Sequence, residues 1–216
     1  MPEGEHPLEQ FILDKRRERI DTVLKSRTRS LTVVLDRVHN AHNISAVIRS
    51  ADAFGIQDIH YLGDHLDLSS GITIGADRWV DVHKYNSAAD LLNCLKQDAY
   101  EIVVLMPPDK LRGEIPSFAV HNLPFDRNLA LVFGNEKEGV GPEIVRAATM
   151  SAFIPMNGFV ESLNISVAAA ITLYCSTLGD RTRKLGETEK AQIKDRWLRE
   201  EVRGSEAILK RLDTQS

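Results

Sequence analysis

The chain has 216 residues, 43% of them hydrophobic and 27% charged, and its formal net charge is −4. This composition is typical of a folded domain with its own core and excludes a collagen-like or globally disordered chain. Two cysteines are too few for a disulfide scaffold or a four-cysteine zinc site. No apolar run approaches the ~18 residues of a membrane helix, and the acidic start lacks the apolar segment of a secretory signal. We therefore expect a cytoplasmic protein with no membrane partner.

Short apolar runs alternate with helical patterns through the middle of the chain. The patterns predict buried strands at 31–35, 58–62, 79–83, 101–106, 129–133 and 152–155. They predict helices at 43–54, 88–97, 142–149 and 165–178, and long loops at 66–77 and 107–124. Continuous apolar strands separated by helices indicate the α/β class, with an open, mainly parallel sheet and helices on both faces.

Amphipathic patterns flank this body on both sides. One helix is predicted within residues 1–30 and another at 187–212. We therefore divide the chain into an N-terminal helical extension at 1–30, a main domain at 31–180 and a C-terminal helical extension at 181–216.

The N-terminal extension is strongly basic. Seven lysines and arginines fall between residues 15 and 29, opposed there only by Glu18 and Asp21. Such a cluster can bind the phosphates of a nucleic acid. It is equally typical of a solvated helix face with ion pairs. On the first interpretation the RNA-binding candidates are Arg16, Arg17, Arg19, Lys25 and Arg27.

The common nucleotide, hydrolase and metal signatures are absent from the sequence. The turn at 134–139 is not followed by the Lys-Ser/Thr of a P-loop, and the first strand is not followed by a dinucleotide-binding glycine turn. No nucleophile elbow of a serine hydrolase occurs. His39 and His42 have no further ligand at suitable spacing, so we predict no metal site.

The first of three polar segments follows the first strand. Asn43 can cap the helix that begins there, and Arg49 sits among apolar residues of the same helix. An unpaired guanidinium in such surroundings would be costly. Arg49 must therefore reach a carboxylate such as that of Asp52, three residues on, or a ligand phosphate, or water.

Two further polar segments also follow predicted strands. The segment 129–142 is a strand, an acidic turn and a helix start at Pro142, at the end of a strand where open α/β sheets usually bind ligands. An ordinary strand-to-helix connection explains it equally well. The segment 154–170 leads from a strand through a polar loop into a helix of small apolar residues, which can pack closely inside other elements.

Together the three segments resemble the motifs of the SpoU/TrmH family, the SpoU branch of the SPOUT class of RNA 2′-O-ribose methyltransferases. The family's Asn-x-(Ser/Gly)-x-x-x-Arg motif matches 43–49, and its Gly-x-Glu-x-x-Gly-Val turn matches 134–140. Its Ile-Pro-Met and Ser-Leu-Asn-(Val/Ile)-Ser-Val-Ala run matches 154–168. The arginine-rich first helix and the last helix, with Trp197, resemble the tRNA guanosine-2′-O-methyltransferase subfamily, often called TrmH.

The resemblance implies a fold and an assembly. The C-terminal part of the sheet domain would be threaded into a deep trefoil knot, and the small-sided helix from Ile165 fits such a knot. The protein would be a homodimer through the knot region, with each site drawing on both chains. The methyl donor would be S-adenosyl-L-methionine, and the motif positions that would bind it are Leu105, Gly134, Ile154, Met156 and Leu163.

The resemblance also implies a reaction, the methylation of a tRNA ribose, at guanosine 18 of the D-loop. The family assigns proton removal from the 2′-hydroxyl to the arginine at position 49. Because a guanidinium stays protonated at neutral pH, we expect Arg49 instead to clamp the adjacent phosphate and polarise the hydroxyl. Asn43 would orient Arg49 or the phosphate. The other catalytic candidates, which would shape the pocket through hydrogen bonds, are Glu136, Ser162 and Asn164.

Two alternatives stay open from the sequence. The same reaction could act on ribosomal RNA or on another tRNA position, because phosphate contacts position an RNA without specifying its sequence. The chain could also be an RNA-binding module that keeps the fold without the chemistry.

Overall fold

The structure, a computed structural model, describes residues 6–64, 75, 78–110 and 115–215. These residues form two compact units, one at 28–183 and the other made of the two terminal segments, up to Arg27 and from Lys184. The two extensions, predicted as separate, thus belong to one unit. The loop predicted at 66–77 lies, apart from Gly75, outside the described residues.

Helices and strands alternate along the larger unit. In the described residues its strands are β1 (Leu31–Asp36), β2 (Asp58–Leu62), β3 (Asp81–Tyr85), β4 (Glu101–Leu105), β5 (Ser117–Ala119), β6 (Leu129–Gly134) and β7 (Met150–Phe153). The helices of the whole described chain are α1 (Asp14–Ser26), α2 (Ala41–Ala53), α3 (Ala88–Gln97), α4 (Pro142–Ala147), α5 (Ile165–Thr177), α6 (Glu187–Glu201) and α7 (Ser205–Gln215).

The strands form one sheet in the order β3-β2-β1-β6-β4-β7-β5, and each recorded strand pair is parallel. The predicted parallel sheet is confirmed. The chain moves outward from β1 to β3 on one side and then places β4 on the other side of β1, beyond β6. The strand order therefore reverses around β1 and β6, whose ends bring Asp36 opposite Gly134. Open α/β sheets bind ligands at the carboxyl ends of strands at such a reversal.

Alternate residues of the central strands face two separate cores. On β6, Leu129, Leu131 and Phe133 belong to one core, whereas Ala130 and Val132 belong to the other. The apolar sides of α2 and α5 complete the first core, and those of α3 and α4 complete the second. The prediction of helices on both faces of the sheet is confirmed.

Some predicted boundaries are wrong for identifiable reasons. The predicted loop at 107–124 contains β5, a three-residue edge strand too short to show an alternating pattern. The strand predicted at 79–83 lies two residues later, as β3. The helix predicted at 187–212 is broken between α6 and α7, where Gly204 has a φ of +74°, a left-handed conformation that does not continue a helix.

In the smaller unit, α1 packs on α6 around the buried Trp197. The guanidinium of Arg27 lies 5.3 Å from the centre of the Trp197 ring. Lys194 forms ion pairs with the carboxylates of Glu9 and, at 2.7 Å, Asp21. No described helix combines the length and apolar character that crossing a membrane requires.

Candidate active site

A cavity of about 980 Å³ opens at the carboxyl ends of β4, β6 and β7. Its walls come from the loops that follow these three strands, and its size suits a nucleotide-like ligand. All five residues predicted to bind the methyl donor line it, namely Leu105, Gly134, Ile154, Met156 and Leu163. Three of the predicted catalytic residues line it as well, namely Glu136, Ser162 and Asn164.

Gly134 ends β6 at a point where the chain folds back on itself. The backbones of Asn135 and Gly139 exchange hydrogen bonds of 3.1 and 3.0 Å. The Asn135 side-chain oxygen accepts hydrogen bonds from the backbone N–H groups of Lys137 and Glu138. A Cβ added at Gly134 would lie 2.0 Å from the carbonyl carbon of Gly139, so only glycine fits there. The acidic turn is therefore a tightly built wall of the cavity.

Asp36, at the end of β1, holds the far end of this turn. Its Oδ2 accepts a 2.6 Å hydrogen bond from the backbone N–H of Gly141, and its Oδ1 pairs with Arg37 at 3.1 Å. Burial raises the pKa of Asp36, although the Gly141 N–H and the Arg37 charge act in the opposite direction. Asp36 was not among the residues predicted from the sequence. The feature that marks Asp36 in the sequence is a carboxylate directly after the predicted strand at 31–35.

A chain of side-chain hydrogen bonds joins the three motifs. Asn43 Nδ2 donates to Glu136 Oε1 at 2.5 Å, and Asn164 Nδ2 donates to Asn43 Oδ1 at 3.0 Å. Asn164 Oδ1 in turn accepts from the backbone N–H of Ser166 at 2.8 Å and caps α5. Asn43 is buried, with 8% of its surface exposed, so water competes poorly for its bonds. The start of α2, the acidic turn and the start of α5 are thereby held together.

The prediction that Asn43 caps α2 is wrong. The helix begins at Ala41, and the Asn40 side chain accepts hydrogen bonds from the backbone N–H groups of His42 and Asn43, at 3.0 and 3.4 Å. The predicted start was late because it relied on the apolar positions, which begin at Ile44. With Asn40 as the cap, the Asn43 side chain bonds the other two motifs instead.

Arg49 is exposed on α2. Within the described part of the chain, no ion pair or hydrogen bond of its guanidinium is recorded, to Asp52 or to another residue. Ser162 is exposed too. Neither Asn43 nor Arg49 lines the cavity of its own chain. Among the described residues, no group of three or more His, Cys, Asp or Glu side chains could hold a metal ion.

The predicted RNA-binding residues differ in the exposure of their side chains and in the ion pairs that they form. Arg19 and Lys25 are exposed. Arg16, by contrast, is 3.0 Å from the Glu201 carboxylate. Arg17 also forms an ion pair within the smaller unit, 3.2 Å long, to the first residue of α1.

The prediction that Arg27 binds RNA is wrong. Its side chain is fully buried, and its guanidinium lies over the ring of Trp197. A buried cation of this kind stabilises the smaller unit and cannot reach a phosphate. The composition of the basic cluster could not separate this structural arginine from its exposed neighbours.

Comparison with known proteins identifies the family of this chain. A model of the SpoU rRNA Methylase family matches residues 30–174, which include all three motifs. The chain belongs to the SpoU methylase family. The tRNA (guanosine(18)-2′-O)-methyltransferase of Borreliella burgdorferi is 34% identical over 209 residues, which are 93% of this chain and 92% of that protein. The enzyme of the same name from Aquifex aeolicus is 35% identical and covers 90% of this chain and 94% of its own.

Solved structures of SpoU methylases share the fold. The A. aeolicus TrmH/SpoU tRNA modifying enzyme superposes with a TM-score of 0.73 at 34% identity, over 88% of this chain and 98% of that one. An AdoMet-bound rRNA methyltransferase from Sinorhizobium meliloti superposes with a TM-score of 0.59 at 26% identity, over 70% of this chain and 57% of that one. The predicted family fold is confirmed, and its trefoil knot stays a prediction.

Replacing Gly134 tests whether the folded-back turn is needed for the cavity. We expect Gly134→Ala to abolish S-adenosylmethionine binding and to lower the free energy of unfolding by about 1–3 kcal/mol, because the added methyl group overlaps the backbone of Gly139. Calorimetric titration with the donor and denaturant unfolding measure both effects. Gly158→Ala is the matched control, since a Cβ there meets nothing within 4 Å. Unchanged donor binding in Gly134→Ala would show that the turn does not shape the donor site.

Proposed function

We propose that this SpoU methylase transfers the methyl group of S-adenosylmethionine to a tRNA ribose, at the 2′-oxygen of guanosine 18. The observation that carries the proposal is the hydrogen-bonded chain Glu136–Asn43–Asn164, which joins all three family motifs at the cavity. The substrate follows from the curated relatives, which span nearly the whole chain and are named for this nucleotide.

The lining of the cavity suits S-adenosylmethionine. Half-buried Leu105, Ile154 and Leu163 offer apolar contacts for an adenine ring. At Gly134 the missing side chain lets the backbone of Gly139 approach and close the turn that forms one wall of the cavity. When bound, the donor supplies an electrophilic methyl group on a sulfonium.

Catalysis by this site would be mainly positioning. Arg49 has a charged guanidinium that no described acceptor holds, and its planar fork matches two oxygens of a phosphate. In our proposal it clamps the phosphate beside the target ribose and polarises the 2′-hydroxyl, and the phosphate accepts the proton. Asn43, fixed by Glu136 and Asn164, keeps α2 and therefore Arg49 in place. Ser162 would hydrogen-bond the target from the opposite loop.

The functional assembly would be a homodimer through the knot region. On α5 and at its C-cap, Leu178, the exposed apolar side chains follow the spacing of one helix face, with Val167, Ile171 and Tyr174 on the helix itself. A stripe of this kind is typical of a protein interface. Because Arg49 does not line the cavity of its own chain, a second copy would complete each site. Since tRNA is the proposed substrate, we place the enzyme in the cytoplasm.

The exposed cations of α1 would bind the body of the tRNA. Arg19 and Lys25 are the predicted RNA-binding residues that stay exposed, and phosphate contacts position an RNA without reading its sequence. Arg16 and Arg17 could join them only by giving up their ion pairs, which cost little to break at the surface.

A methyl-transfer assay tests the reaction and the role of Arg49 together. With labelled S-adenosylmethionine and unmodified tRNA transcripts, we expect label on the 2′-oxygen of guanosine 18, located by nuclease mapping. Arg49→Ala should lose at least about 100-fold in rate, and Arg49→Lys should stay poor because the bidentate fork is lost. Arg146→Ala, which removes another exposed helical arginine, should keep the full rate. Label on ribosomal RNA alone would replace the tRNA substrate, and bound donor with no label on any RNA would favour the non-catalytic module.

A salt titration tests whether α1 binds RNA phosphates. We expect the double variant Arg19→Ala/Lys25→Ala to weaken tRNA binding and to lower the slope of log Kd against log salt by about one for each phosphate that is no longer bound. Lys96→Ala/Arg146→Ala removes the same charge from exposed positions of α3 and α4 and should leave the slope unchanged. Equal slopes for both double variants would show that α1 contributes only general charge.

Light scattering tests the dimer interface. We expect the wild-type protein to have twice the 24.2 kDa mass of one chain, and Ile171→Lys to shift it to one chain mass, because a charge would be buried in the apolar stripe. Methyl transfer should disappear with the dimer, since each site would lack residues of the partner. Leu13→Lys, at an exposed leucine of the smaller unit, serves as the control. An Ile171→Lys variant that stays dimeric would place the interface elsewhere.

A further inference from the structure

The loop between β7 and α5 presents a fully exposed aromatic ring. The relative exposure of Phe159 is 109%, whereas that of the next most exposed described aromatic residue, Tyr174, is 54%. The adjacent Val160 is also exposed, at 62%. Covering an apolar ring by a ligand removes its surface from water and is favourable. The position of the ring within the site indicates which ligand that is.

In the sequence, Phe159 lies between residues that line the cavity. Before it, Met156 lines the cavity at a predicted donor contact. After it, Glu161 and Ser162 line the same cavity and lead to Asn164 at the start of α5. The ring therefore belongs to the rim of the cavity, where the target nucleotide must enter.

The fold of the loop does not explain the phenylalanine. Residues 155–163 form no hydrogen bond with another described residue, and their recorded ion pair is a solvent-exposed one of 3.6 Å between Glu161 and Lys110. Phe159 contributes no buried surface to either core. Its side chain thus has no structural task in the described part of the chain.

We propose that Phe159 stacks on the base of the nucleotide whose ribose is methylated. This proposal rests on the proposed function and adds a substrate contact to it. The target nucleotide of the proposed function lies in a loop of the tRNA, and proteins commonly stack the bases of RNA loops on aromatic side chains. Stacking accepts any base because each has a π face, so Phe159 holds the nucleotide while other contacts read its identity.

The apolar stripe of α5 is a separate feature. Its exposed side chains repeat along one helix face from Val167 onward, whereas Phe159 precedes α5 and lies outside that repeat. Burial of Phe159 in the dimer instead of against RNA is the outcome that the experiment must distinguish.

A double-mutant cycle tests the proposal, in which the Phe159 ring and the base of the target nucleotide are removed separately and together. We would measure the Kd of tRNA in the presence of S-adenosylhomocysteine, with an intact transcript and with one that lacks only the base at the target nucleotide. We expect Phe159→Ala to weaken binding of the intact tRNA about 10-fold and to leave binding of the abasic tRNA unchanged. Phe159→Trp should keep wild-type affinity, and Val160→Ala, on the same loop, should behave as wild type.

The outcomes separate this proposal from its alternatives. Equal weakening of both RNAs by Phe159→Ala would overturn stacking on the target base. A shift from dimer to monomer mass in light scattering, with or without weaker binding, would assign the ring to the partner chain and overturn it too. Weaker titration of S-adenosylmethionine would assign it to the donor. Failure of the wild-type protein to methylate any RNA would overturn the proposed function itself, independently of this cycle.

Discussion

The site depends on one buried amide. Asn43 donates to Glu136 and accepts from Asn164, so a single side chain ties the start of α2 to the turn after β6 and to the cap of α5. These segments are distant in the chain and meet only because parallel strands end at one edge of the sheet. A buried amide whose nitrogen and oxygen are both hydrogen-bonded holds such segments firmly, whereas one left unpaired would be costly.

Much of the fold could be predicted from the sequence because its signals are local. The strands of a two-sided parallel sheet are mostly apolar runs, and β1, β4 and β6 are of that kind. Gly134 was identified through its motif, and the structure supplies the reason, a backbone approach that leaves no room for a Cβ. What the residues alone could not supply was the joining of the motifs, because hydrogen bonds between distant segments leave no periodic trace.

The errors have the same origin. Arg27 and Arg19 look alike in a basic cluster, and only the position of Trp197 more than a hundred residues later separates a buried cation from an exposed one. In the sequence, Asp36 is only the polar end of a strand. Its hydrogen bond with the backbone N–H of Gly141 exists only in the folded chain. β5 was not predicted because its three residues at the sheet edge are held by pairing with β7 and show no pattern of their own.

The charges that line the cavity bear on the proposed role of Arg49. The described cavity is lined by more carboxylates than ammonium groups, with Asp109, Glu136, Glu138 and Glu161 against Lys110 and Lys137. An acidic lining favours a cationic sulfonium donor but repels an RNA phosphate. In the proposed mechanism the guanidinium of Arg49 offsets this repulsion, and Arg49 lies outside the lining of its own chain. The proposed homodimer would meet this need, because a second copy would bring the guanidinium of Arg49 to the rim of a cavity whose own lining is acidic.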